Sequence, residues 1–168
     1  TNIEIRGGNL KVTKNFTYLG VNINNELKDD VEIKRRTQRA TSQMGALKFF
    51  FRNKNISLRT KYKIYMAIPL STLLWGSESW TLTDTNIKKL RVFQHKTLRW
   101  IFNINMHEVE EYKNKNETIR KMFCNIPDII SIVHKRQTNW IGAIAKMDNS
   151  KLPRKLIASW TKMPRKPG

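Results

Sequence analysis

The run from Ser57 to Trp80, SLRTKYKIYMAIPLSTLLWGSESW, changes from a helix with one apolar stripe into a segment apolar on all sides. Leu58, Tyr62 and Tyr65 repeat at four and three residues, Arg59, Lys61 and Lys63 lie off that line, and Ser57 stands where an N-cap belongs. From Ile64 to Trp75 only Ser71 and Thr72 interrupt the apolar side chains, and a helix with no polar face belongs inside a domain. As a helix, Ser57 to Trp75 would extend roughly 28 Å, about the width of a small domain, with a bend at Pro69 and a stop at Gly76. It is too short and too interrupted to cross a membrane. The other helices are therefore expected to pack around it. Trp75 and Trp80 are expected as core anchors, since base-stacking aromatics are normally interleaved with exposed basic residues.

Before this run the chain reads first as β structure. Ile3 to Arg6 alternates, Gly7-Gly8 is a turn signal, Leu10 to Val12 alternates again, and Phe16 to Ile23 forms a third strand-like run. Strands so short need helices, or a sheet from another segment, to pack against. Asp29-Asp30 resembles a metal-binding pair, but it precedes a helical pattern, where Asp caps amides and offsets the dipole. In that helix Ile33, Thr37, Ala40, Met44, Leu47 and Phe51 make one core stripe, with Lys34, Arg35, Arg39 and Arg52 off it and Arg35 and Arg39 stacked one turn apart. A third helix, capped by Thr83 or Asp84, turns Ile87, Leu90, Gln94, Thr97, Leu98 and Ile101 inward and Lys88, Lys89, Lys96 and Arg99 outward. Asn103 to Asn125 is a connector, in which Glu108, Glu110 and Glu111 supply most of the local acid and Ile119, Met122 and Phe123 suggest a short helix. A last long helix begins at Pro127-Asp128, with Ile129, Ile132, Val133, Trp140, Ala143, Ile144 and Met147 on one face. Arg136 lies in the middle of that face, where it must pair with a carboxylate, snorkel, or meet a ligand phosphate.

Charge sets the partner class. Thirty-two Lys and Arg against 13 Asp and Glu give a formal net charge of +19, which a polyanion relieves, and nucleic acid leads over an anionic membrane surface or an acidic protein. Basic faces at Lys34, Arg35 and Arg39 and at Lys88, Lys96 and Arg99 suit phosphate contact. The single cysteine, Cys124, excludes an internal disulfide and fits a reducing compartment, nuclear or cytoplasmic, with the nucleus favoured. His95, His107 and His134 show no zinc-ligand spacing. There is no phosphate-cradling glycine loop and no grouping of nucleophile, base and orienting residue. The chain opens without Met on a strand-like run and ends in a basic, Pro-rich tail, as expected of a piece of something longer.

Several segments together resemble the region downstream of the catalytic palm in non-LTR (LINE-type) retrotransposon reverse transcriptases. Phe16-Thr17-Tyr18-Leu19-Gly20-Val21 is similar to the family's F-K-Y-L-G-V, its primer-grip strand. Ile33-Lys34-Arg35-Arg36 resembles I-x-x-R-I, Leu73 to Trp80 resembles L-L-Y-G-C-E-T-W, and Leu98-Arg99-Trp100-Ile101 resembles L-R-R-I. Arg136 to Gly142 is similar to R-x-x-R-W-L-G, and Met147-Asp148 with Lys151-Leu152-Pro153 to M-x-x-x-R-L-P. Their order matches and they cover nearly the whole chain. Pro69, Ser77, Asn139 and Ala143 depart from the usual residues. The catalytic Y-x-D-D of the family is absent.

The resemblance implies a mainly α, thumb-like helical bundle with a small N-terminal antiparallel β-hairpin or three-stranded sheet. Its divisions would be a primer-grip region at 1–25, a thumb at 26–104, a helical linker at 105–161 and a tail at 162–168. It implies a non-catalytic fragment that clamps an RNA/DNA hybrid or DNA duplex beside the missing palm, where the parent's Mg²⁺ would sit. The chain itself is expected to hold no cofactor or metal and to engage no membrane. The nucleic-acid-binding residues expected are Phe16, Tyr18, Gly20, Lys34, Arg35, Arg39, Lys88, Lys96, Arg99 and Arg136. Gly20 would also let a backbone come close. Rival readings are a stand-alone helical DNA-binding module, which would need a recognition helix aimed at base edges, and a decayed structural remnant.

Overall fold

The computed structural model describes residues 2–5, 8–11, 13–26, 28–104, 116–122 and 125–162. Residues 163–168 of the tail and Glu108, Glu110, Glu111, His107, Phe123 and Cys124 lie outside them.

Two antiparallel hairpins open the chain. β1 (Asn2–Ile5) pairs with β2 (Gly8–Lys11), and β3 (Asn15–Tyr18) with β4 (Val21–Asn24), Tyr18 standing opposite Val21. Among the described residues they form separate two-stranded sheets, so the hairpin alternative holds and the three-stranded one does not. The run from Phe16 to Ile23 is not one strand, because it reverses at Leu19-Gly20, whose φ values are 47° and 80°. Two successive left-handed residues are what a two-residue hairpin turn requires. Gly20 meets this freely, whereas Leu19 adopts a conformation rare for a side chain of its size.

The rest of the described chain is helical, as expected: α1 (Asp30–Ala46), α2 (Lys48–Arg52), α3 (Leu58–Tyr65), α4 (Ser71–Leu73), α5 (Asp84–Phe102), α6 (Asn116–Met122), α7 (Ile129–Ala145) and α8 (Leu152–Lys162). Ser57 caps α3 by accepting from the Thr60 N–H, and Thr83 caps α5 by accepting from that of Asn86. The bend at Pro69 is a π-helical turn over Met66–Leu70 that joins α3 to α4. Proline lacks an N–H and its ring crowds the carbonyl one turn back; a widened turn relieves both problems.

Tyr65, Leu70, Leu73 and Leu74 from this central run are buried with Ile33, Ala40 and Met44 of α1, Phe51 of α2, Leu90, Leu98 and Ile101 of α5, and Ile129 and Val133 of α7. The run is not enclosed on every side, since Ala67, Ile68 and Trp75 reach the surface. Of the two expected anchors, Trp80 is buried at 3% exposure and Trp75 is not, at 56%. Trp75 falls where the chain leaves the helix, one residue before Gly76 at φ 78°, so it no longer follows the buried face. A short 3-10 turn, Ser77–Ser79, then brings Trp80 back into the core.

A buried glutamine joins α5 to the start of α7. The Gln94 side-chain amide donates to the Pro127 carbonyl at 2.9 Å and its oxygen accepts from the Ile129 N–H at 3.1 Å, while Asp128 caps α7 through the Ile130 N–H. Along α7 the expected apolar face is only half used: Ile129, Val133 and Ile144 are buried, but Trp140, Ala143 and Met147 are exposed. The far end of α7 packs with α8, which falls within the helical linker expected at 105–161. Pro153 sits in the first turn of α8, where a missing N–H costs nothing.

Candidate nucleic-acid interface

The tip of the β3–β4 hairpin is fastened to α1 by a buried carboxylate. Glu32, 1% exposed, accepts from the Asn22 backbone N–H at 3.0 Å, from Arg35 Nε at 2.9 Å and from Arg36 Nε at 2.6 Å. Both arginines also donate to the Gly20 carbonyl. The Trp75 indole N–H reaches the Leu19 carbonyl at 3.4 Å, so the exposed ring lies against the turn. Gly76 sits so close that a Cβ there would stand 2.8 Å from Val21 Cγ2. Phe16 and Tyr18, both 59% exposed and two residues apart, share one face of β3.

α7 grips the same region from the other side. Arg136 donates to the Leu74 carbonyl at 2.9 Å and to the Glu78 carboxylate at 3.1 Å, and the Gln137 amide donates to the Trp80 carbonyl at 2.8 Å. Of the three fates open to Arg136, the fold realises the carboxylate pair. Segments 16–21, 33–36, 73–80 and 136–142, far apart in sequence, thus meet in one junction. Arg35 and Arg136 have carboxylate partners within it, and Arg36, 5% exposed, is buried inside it.

A second surface lies between α1 and α5. Asp29 does not cap α1 with its side chain; its carboxylate instead accepts from the Thr81 N–H at 2.7 Å. Asp30 faces Lys89 at 3.6 Å, near the start of both helices, and just beyond the end of α1 Phe51 of α2 packs on Trp100, near the end of α5, with ring centroids 6.3 Å apart. The two helices therefore run side by side in the same direction. Toward α5, α1 turns Asp30, Thr41, Met44 and Gly45. α5 answers with Lys89, Phe93, Lys96 and Trp100. Between them is a cleft of about 740 Å³ floored by Met44, Phe93, Trp100 and Ile104, with His95, Lys96 and Arg99 on its α5 side.

Lys34, Arg39, Lys88 and Lys96 are all exposed, and among the described residues none of them meets a carboxylate. Arg99 is half-buried. Burial pushes the His95 pKa below the usual histidine value, the Arg120 and Arg99 cations push it further, and Asp128 only partly opposes them. Among the described residues no three His, Cys, Asp or Glu side chains could share a metal ion, and no helix is long and apolar enough to cross a membrane.

The Glu32 to Arg36 spacing of four residues was the available signal for the buried pair. The residues that read as phosphate-facing are thereby separated into Arg35 and Arg136, which have carboxylate partners, and Lys34, Arg39, Lys88 and Lys96, which turn to solvent without one among the described residues.

No family model matches this chain, and no solved structure does. It is similar to an uncharacterized transposon-derived protein of Caenorhabditis elegans, 28% identical over 134 residues. That alignment covers 78% of this chain and 46% of the relative, so the chain spans less than half of the relative's length. The similarity points to a transposable-element origin.

Proposed function

We propose that this chain is the nucleic-acid-clamping part of a non-LTR reverse transcriptase, and that it holds an RNA/DNA hybrid or DNA duplex across α1 and α5 without itself polymerising. The observation that carries this reading is the set of four exposed cations, Lys34, Arg39, Lys88 and Lys96, on two helices that run side by side, none with a carboxylate partner among the described residues. Ammonium and guanidinium groups left in this state attract phosphates and read backbone rather than sequence. The likeness to a transposon-derived protein supports the transposable-element part of this reading. The junction around Gly20 would then serve to hold the hairpin that carries Phe16 and Tyr18 at a fixed place beside the clamp. Metal-dependent nucleotide transfer would belong to palm carboxylates of the parent, which is the other partner this reading requires.

A salt titration tests it. If the four cations each meet a phosphate, log affinity for B-DNA falls against log salt with a slope of about −3.6, the product of four contacts and about 0.9 per contact. Replacing all four by Ala should flatten that slope, with equal effect on unrelated duplex sequences. An unchanged slope would show that other faces carry the binding. Strong preference for one sequence would favour a DNA-reading module instead.

A further inference from the structure

The cleft between α1 and α5 has a floor unlike a phosphate track. Met44, Phe93, Trp100 and Ile104 are apolar, and Trp100 is half-buried with its indole tilted at 60° against Phe51. Its volume of about 740 Å³ lies within the range of pockets that enclose small organic ligands. On its α5 side stand Lys96, exposed and without a carboxylate among the described residues, and His95 and Arg99. An apolar, aromatic floor beneath cations matches a molecule that is flat and apolar on one side and anionic on the other. A duplex does not match, because its bases are stacked out of reach. An unpaired nucleotide does: a base has a π-face for the floor and a phosphate for the rim.

We infer that this cleft holds unpaired nucleotides next to the clamped duplex, with a base against Trp100 and Phe93 and the backbone phosphates toward Lys96. This rests on the clamp reading for the duplex, with which it shares Lys96 at the rim, but it adds an apolar floor with its own chemistry. It also accounts for Gly45 in the cleft wall. A Cβ built there would meet nothing within 4 Å, so glycine is not required by packing inside the protein, and its absent side chain leaves the cleft open.

The test uses the whole chain and three probes: a blunt duplex, the same duplex with a short thymidine overhang, and the same duplex with an abasic overhang of equal length and charge. The thymidine overhang should bind on the order of tenfold more tightly than the abasic one, since stacking a single base on an aromatic side chain is worth about that factor or more. Gly45→Leu fills the cleft without touching a cation and replaces a helical glycine with a better helix former, so folding is not at issue. It should abolish the thymidine advantage and leave blunt-duplex affinity and its salt slope unchanged. Equal binding of thymidine and abasic overhangs would show that phosphates alone are recognised and would overturn the inference, as would a thymidine advantage that survives Gly45→Leu. Binding of the thymidine probe with no affinity for the blunt duplex would keep the cleft and remove the clamp. No binding to any probe would remove both.

Discussion

Replacing Glu32 by Ala isolates the contact that fastens the hairpin to the helices. The carboxylate is 1% exposed and is shared by Arg36, by Arg35 and by the Asn22 N–H. Arg35 is about a quarter exposed and can turn to water, so its share is that of a surface pair, roughly 0–1 kcal/mol. Arg36 has no such escape: at 5% exposure it would keep only the Gly20 carbonyl for its charge. Removing one member of a buried pair costs about 3–5 kcal/mol, a large part of the roughly 5–15 kcal/mol that holds a domain folded. Urea unfolding of the parent and of Glu32→Ala should show that loss. Exchange of the Asn22 amide should accelerate beyond what global destabilisation explains, because that amide loses its acceptor. Joint replacement, Glu32→Leu with Arg36→Met, removes both charges and should recover most of the stability. A loss below about 1 kcal/mol together with unchanged protection at Asn22 would refute the idea that this carboxylate holds the hairpin in place.

The two tryptophans should separate cleanly in the same assay. Trp80→Ala should cost about 3–5 kcal/mol, as for any large aromatic removed from a core, and Trp75→Ala less than about 1 kcal/mol, since that ring is mostly in water with one long hydrogen bond; equal losses would contradict their burial. His95 gives a pH signature of definite sign. Its folded-state pKa lies below its unfolded value, so below about pH 6.5 the unfolded chain holds more protons and stability declines as pH falls through the folded pKa. The groups that set this are Arg120 of α6, Arg91 and Arg99 of α5, and Asp128 at the start of α7. Measured by thermal unfolding between about pH 7.5 and pH 5, His95→Gln should lose less stability than the parent, and parallel curves would show that His95 is not the titrating group.

Local physics settled much of this chain before any packing was considered. Ser57, Thr83 and Asp128 cap helices because a short side-chain oxygen beside free N–H groups does so wherever it occurs, and Gly76 ends one because few other residues tolerate its φ. The stripe from Ile33 to Phe51 and the inward row of α5 followed from a period of 3.6 residues alone. The charge excess, too, belongs to composition and needs no fold. What the linear chain does not contain is the distance between residues remote in sequence. Trp75 and Trp80 look alike in a run of apolar residues, and only the turn between them decides which one meets water. Arg35, Arg39 and Lys34 are equally basic, yet Glu32 holds Arg35 while Arg39 and Lys34 turn to solvent with no carboxylate beside them among the described residues, because the β3–β4 hairpin lies against the first turns of α1. The same placement turned Leu19-Gly20 from the middle of a strand into a reversal, and joined Gly20, Arg36, Trp75 and Arg136 into one junction. Helix period and capping are short-range and are written in neighbouring residues. Whether a charge is paired, or a ring covered, depends on which surface arrives opposite, and that is settled only when the whole chain packs.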